Sequence, residues 1–150
     1  MNAITPNAVE ILLVEDNPQD LELALRALGK GKLSNHIQVA RDGAEALEYI
    51  FCEGPHASRQ IEQGPKIVLL DLQLPKVDGL EVLRRIKGDP RTWHIPVVVL
   101  TCSKEQNDVI ESYRLGVNSY IVKPVNFESF VQAVGDIGLY WLLLNQSPAK

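Results

Sequence analysis

Five short apolar runs, each about long enough for one strand, recur along the chain and constrain its fold more than any other feature: Ile11–Val14, Ile37–Ala40, Ile67–Leu70, Val97–Leu100 and Ser119–Val122. Several are apolar at every position instead of at alternate ones. A strand reads this way when both its faces are covered, as in a parallel sheet between layers of helix. The stretches between the runs carry helical spacing. Asn17 and Pro18 offer a cap and a first-turn proline ahead of the stripe Leu21, Leu25 and Leu28, which ends at Gly29. Leu47, Ile50 and Phe51 mark a second helix; Leu83 and Ile86, after a cap at Asp78 and before Gly88 and Pro90, mark a third. Val109, Ile110 and Tyr113, running to Gly116, mark a fourth, and Asn126 caps a fifth with the stripe Phe127, Phe130, Val131, Val134 and Trp141. Strand and helix alternating in this way predict an α/β fold: a doubly wound, five-stranded parallel sheet with helices on both faces.

With 150 residues there is room for one domain, expected over 9–145, with a disordered N-terminal arm at 1–8 and a flexible tail at 146–150. Fifteen Lys and Arg against 19 Asp and Glu leave a net charge of -4, which disfavours nucleic acid and anionic membrane surfaces as partners. Cys52 and Cys102 make neither a disulfide framework nor a zinc cluster. The first ten residues lack the charged start and apolar core of a secretory signal. The longest apolar run, 137–144, is broken by Gly138 and falls well short of the roughly 20 residues that cross a bilayer. A cytoplasmic protein is therefore expected. Residues 53–66 read as a long loop, serving either as a partner contact or as a tolerated surface insertion.

Ligands of open parallel sheets bind beyond the carboxyl ends of the strands, so the residues following each run matter most. Strand one is followed by Glu15 and Asp16, strand three by Asp71, strand four by Thr101 and strand five by Lys123. Singly, each has an ordinary reading as a cap, a turn residue, a strand former or a solvated charge. If strand one lies beside strand three, as in the flavodoxin-like order 2-1-3-4-5, the three carboxylates converge. Such charges repel by about 4 kcal/mol per pair at 4 Å with an effective dielectric of 20, so a cation is implied. Oxygen-only donors suit a hard ion such as Mg²⁺ or Mn²⁺. A hard ion with a lysine and a hydroxyl opposite is a setting for phosphoryl transfer to a carboxylate, with Asp71 as nucleophile.

The segments ILLVEDN at 11–17, VLLDLQLPKVDG at 68–79, PVVVLTCS at 96–103 and YIVKP at 120–124 resemble the receiver domain of two-component response regulators. The resemblance implies Asp71 as phospho-acceptor, Glu15 and Asp16 as the acidic pair, Thr101 as switch hydroxyl, Lys123 as phosphoryl-binding lysine and Tyr120 as aromatic switch. It also implies Mg²⁺ held by Asp16, Asp71 and the backbone carbonyl of Gln73, with Glu15 completing the acidic set, and a cis peptide at Lys123-Pro124. Glu15 stands where aspartate is the commoner residue. The long loop and the ending YWLLLNQ further resemble stand-alone receivers that serve phytochrome-like sensor histidine kinases. The function implied is transfer of a phosphoryl group from such a kinase to Asp71, switching partner binding through the face of helix four, strand five and helix five. The chain would not be an enzyme beyond self-catalysed phosphorylation and dephosphorylation.

Helix five carries apolar residues around its whole end, at Leu139, Tyr140, Leu142, Leu143 and Leu144, and a homodimer through this region is the expected cover. A phosphorylation-independent docking module is the leading alternative. A phosphoaspartate-type phosphatase would want an acid two residues after Asp71, where Gln73 stands. A nucleotide or flavin module would want a glycine-rich loop where the sequence is acidic.

Overall fold

The computed structural model describes residues 9–30, 36–124, 126–146 and 148; the arm expected at 1–8 lies outside them, as does most of the tail. Strands β1 (Ile11–Val14), β2 (Ile37–Ala40), β3 (Ile67–Leu70), β4 (Val97–Thr101) and β5 (Ser119–Val122) alternate with helices α1 (Pro18–Lys30), α2 (Gly43–Ile50), α3 (Gly79–Lys87), α4 (Gln106–Arg114) and α5 (Phe127–Leu139). The sheet is parallel throughout, in the order β2-β1-β3-β4-β5.

The unbroken apolar strands have the predicted cause. Leu12, Val14, Val68, Leu70, Val97 and Val99 face one core, shared with Ala46, Leu47 and Ile50 of α2 and Val82, Leu83 and Ile86 of α3. Their sequence neighbours Ile11, Leu13, Ile67, Leu69, Val98 and Leu100 face the other, against Leu21, Ala24 and Leu28 of α1 and Phe130 and Val134 of α5. Both faces are therefore dry, and alternation would have put polar groups into one of them.

The expected caps form. Asn17 accepts from the amides of Gln19 and Asp20, both at 3.0 Å, Asp78 from that of Glu81, and Asn126 from that of Ser129. Asp42 likewise caps α2 by accepting from Glu45. Gly79 is required sterically: a β-carbon there would lie 2.4 Å from the carbonyl oxygen of Asp71 and 2.5 Å from Cα of Leu72. The helix start is thus pressed against the backbone at the end of β3, a closeness that only glycine allows.

Three expectations need correction. Helix α4 exists, but its apolar stripe faces outward: Ile110 is 44% and Tyr113 56% exposed, and the helix buries Ser112 instead. Helical spacing here marks a surface and not a packed face. The 53–66 segment is partly regular, with short 3₁₀ turns at Gly54–His56 and Ile61–Gln63. Arg59 lies 3.7 Å above the Tyr49 ring and donates to the Tyr49 carbonyl, so the segment folds back onto α2. Finally, the Lys123-Pro124 peptide is trans, since no described bond is cis. The trans form is intrinsically the lower in energy by about 0.5–1 kcal/mol.

Beyond α5, the chain widens into a π-helical turn, Tyr140–Leu144, with Tyr140 and Leu144 exposed. The side chains of Leu139, Leu142 and Leu143, part of the expected uncovered end, lie outside what is described.

Candidate functional site

The strand ends place their polar residues by continuing the sheet ladder one step past the regular strands. The amide of Glu15 donates to Ala40 O at 3.0 Å, that of Asp71 to Val14 O at 3.1 Å and that of Lys123 to Thr101 O at 2.8 Å. Three chain segments are thereby fixed relative to one another before any side chain acts.

Asp71 is buried and engaged at both carboxylate oxygens. Oδ1 accepts from the Thr101 hydroxyl at 2.8 Å and from the Gln73 amide at 3.0 Å; Oδ2 accepts from Lys123 Nζ at 2.8 Å. The same ammonium lies 2.8 Å from Glu15 Oε1 and 2.8 Å from Asp20 Oδ2. Burial alone would lower the lysine's hold on its proton, but hydrogen bonds to Asp20, Asp71 and Glu15 outweigh it and keep Lys123 above the usual range. Burial also pushes Glu15 up, to about 7, against the lowering effect of the Lys123 bond and charge and with the charge of Asp71 adding to the rise.

One oxygen from each of Glu15, Asp16 and Asp71 lies within 4.8 Å of the others. These donors are all hard oxygens, and Asp16 faces solvent, so an ion held here keeps several waters, as Mg²⁺ prefers. The hydrogen bonds on Asp71 do not block this, because a carboxylate offers about four lone-pair sites. The set fits a divalent ion. Gln73, expected as a carbonyl ligand, is placed at the site through its amide hydrogen bond to Asp71.

Every strand-end residue singled out from sequence therefore meets at one point, and Tyr120 stands one step away. Its hydroxyl donates to Ser103 O at 3.0 Å, while the Ser103 amide donates to Thr101 Oγ1 at 3.4 Å, so Asp71, Thr101, Ser103 and Tyr120 form one chain of contacts. One member was not legible beforehand. Asp20 resembled an ordinary first-turn acid satisfying the helix dipole. Ser103, whose hydroxyl donates to Asp108 Oδ2 at 2.6 Å, fastens the loop after β4 to the first turn of α4.

The family model for the response regulator receiver domain matches residues 11–135. The chain belongs to that family. Among its relatives, the probable methanogenesis regulatory protein FilR2 of Methanothrix harundinacea is 46% identical over 139 residues, spanning 92% of this chain and 86% of FilR2. The crystal structure of the phosphorylated cyanobacterial phytochrome response regulator RcpA superposes with a TM-score of 0.87 at 42% identity, covering 93% of this receiver and 98% of RcpA. The Mn²⁺-bound form of response regulator Rcp1, a protein of Synechocystis, gives 0.86 at 39% identity, covering 94% of this receiver and 99% of Rcp1. Both neighbours share the receiver architecture with this chain across nearly its whole described length.

Proposed function

We propose that this receiver, over residues 9–145, acts as a single-domain response regulator that takes a phosphoryl group onto Asp71 from a phosphohistidine of a sensor histidine kinase. The observation that carries this is the set of groups around Asp71: Thr101 and the Gln73 amide on one oxygen, Lys123 on the other, and two further carboxylates within 4.8 Å. In the transfer, the N–P bond of phosphohistidine breaks with its electron pair returning to the imidazole, and an O–P bond to Asp71 forms. Lys123 stabilises negative charge on the phosphoryl oxygens, and Thr101 passes its hydroxyl hydrogen bond from the carboxylate to one of them. Glu15, Asp16 and Asp71 would hold Mg²⁺ or Mn²⁺, which when bound neutralises charge on the same group.

Because Thr101 already touches Asp71, the switch needs only a small shift of its hydroxyl. That shift acts through Ser103 on the Tyr120 hydroxyl and so on the face of α4, β5 and α5. The acceptor is modified in place, so the role is signalling and not turnover of a separate substrate. RcpA supports a phytochrome-like kinase as the partner, and a cytoplasmic setting agrees with the lack of any described helix long and apolar enough to cross a membrane.

Intact mass after incubation with acetyl phosphate tests the reading. One added phosphoryl group is expected with Mg²⁺ and none with a chelator. No gain under either condition would leave the phosphorylation-independent docking module as the better account.

The same proposal includes a homodimer through the α4, β5 and α5 face, where Ile110, Tyr113, Val122 and Phe127 are exposed. Light scattering should return twice the 16.7 kDa of one chain. A single-chain mass at every concentration and phosphorylation state would remove the dimer.

A further inference from the structure

Asp20 belongs neither to the three oxygens that suit a metal nor to the group that accepts the phosphoryl, yet it binds Lys123 as closely as either partner does. Its carboxylate lies 2.8 Å from Nζ, and only a quarter of its side chain is exposed. Its backbone is fixed as well, because the Asn17 cap accepts the Asp20 amide at 3.0 Å. The three carboxylates around Lys123 therefore have different fates. Glu15 and Asp71 are shared with the candidate metal, and Asp71 is then consumed as an acyl phosphate. Asp20 alone among them keeps its full charge for the lysine throughout.

We infer that Asp20 is a positioning residue: it holds the Lys123 ammonium at the mouth of the site when Glu15 and Asp71 turn to metal and phosphoryl, so that the lysine meets the transferring group in a fixed place. This rests on the phosphoryl-acceptor reading above. Without Asp20, the ammonium on its four-carbon stem has no committed anchor. Placement errors of about 1 Å can cost up to about 100-fold in rate.

The test compares Asp20→Asn and Asp20→Glu with the unaltered chain, each also in a Lys123→Met background. The reaction is phosphoryl uptake from acetyl phosphate with Mg²⁺: the P–O bond to the acetyl group breaks, acetate leaves with the electron pair, and the O–P bond to Asp71 forms. Asp20→Asn should slow uptake by about 10-fold or more, and Asp20→Glu, which restores the charge, should recover most of it. In the Lys123→Met background, Asp20→Asn should change nothing further, since an effect exerted through the lysine vanishes with it. A readout free of metal and turnover is the Lys123 ammonium signal in ¹⁵N-lysine protein, expected to be present in the unaltered chain and lost to solvent exchange in Asp20→Asn. Uptake by Asp20→Asn at the unaltered rate, or an equal loss in both backgrounds, overturns the inference while leaving the acceptor reading intact. Failure of the unaltered chain to take up phosphoryl overturns the acceptor reading instead.

Discussion

Asp71→Asn is expected to abolish phosphoryl uptake outright while shifting thermal stability only slightly. Asparagine keeps the shape of the side chain and one oxygen, which can accept from Thr101 and the Gln73 amide as Oδ1 does now. Its amide nitrogen then faces Lys123 and loses that bond, but the loss of one negative charge also relieves Glu15, whose ionisation Asp71 opposes. The two changes offset, whereas the nucleophile is gone, since a neutral amide does not attack phosphorus to give the acyl phosphate that a carboxylate forms. Intact mass and a melting curve on the same sample check both halves. A remaining mass gain of one phosphoryl group would mean that another carboxylate is the acceptor.

Lys123→Met is expected to have the largest effect on stability. It leaves Glu15, Asp20 and Asp71 facing one another without a cation, and Glu15 and Asp71 are almost wholly buried. Breaking a buried pair in this way costs about 3–5 kcal/mol, or roughly 10 °C in Tm for a domain of this size. The sign of the pH dependence follows. Burial already holds Glu15 up at about 7, and losing the lysine removes what lowers it, so the folded variant keeps a proton that the unfolded chain gives up near 4.5. Glu15 of the unaltered chain gives up its proton through about 7 and that of the variant only above it, so the deficit should be level from 4.5 to 7, where both folded forms carry the proton, and grow as pH rises above about 7. Millimolar Mg²⁺ should raise the variant's Tm more than that of the unaltered chain. Equal shifts in melting experiments would show that these carboxylates are not where the ion binds.

The fold was readable because burial on both faces writes itself as unbroken apolarity: no residue of Ile67–Leu70 or Val97–Leu100 could be polar without entering a core. The site was readable for a related reason. The sheet order brings the first residues past β1, β3 and β5, and Thr101 at the last position of β4, to one edge, so chemistry at run ends predicts chemistry at one point. What escaped depended on side-chain reach. Asp20 lies 103 positions from Lys123, and first-turn acids are too common for that pairing to stand out. The cis peptide was an inference from resemblance, not from the residues themselves. In α4, the periodicity of Val109, Ile110 and Tyr113 was genuine, but periodicity reports that a helix has an apolar side without saying what that side meets.

That outward-turned helix has an energetic consequence. Its one fully buried side chain, Ser112, is polar, and its hydroxyl finds no partner among the described residues. An unmatched buried hydroxyl costs about 1–3 kcal/mol, and there is little apolar burial in α4 to set against it. Strands β3 and β4 are the opposite case, anchored in both cores. The domain is thus graded in rigidity along the route from Asp71: a stiff frame holds the chemistry, and the neighbouring helix is the cheapest element to displace. A perturbation of a few kcal/mol at the acceptor would be absorbed by the frame almost without movement, yet it matches the scale on which α4 can be loosened or tightened. Amide hydrogen exchange, fast in 106–114 and slow in 67–70 and 97–101, is how that gradient would appear.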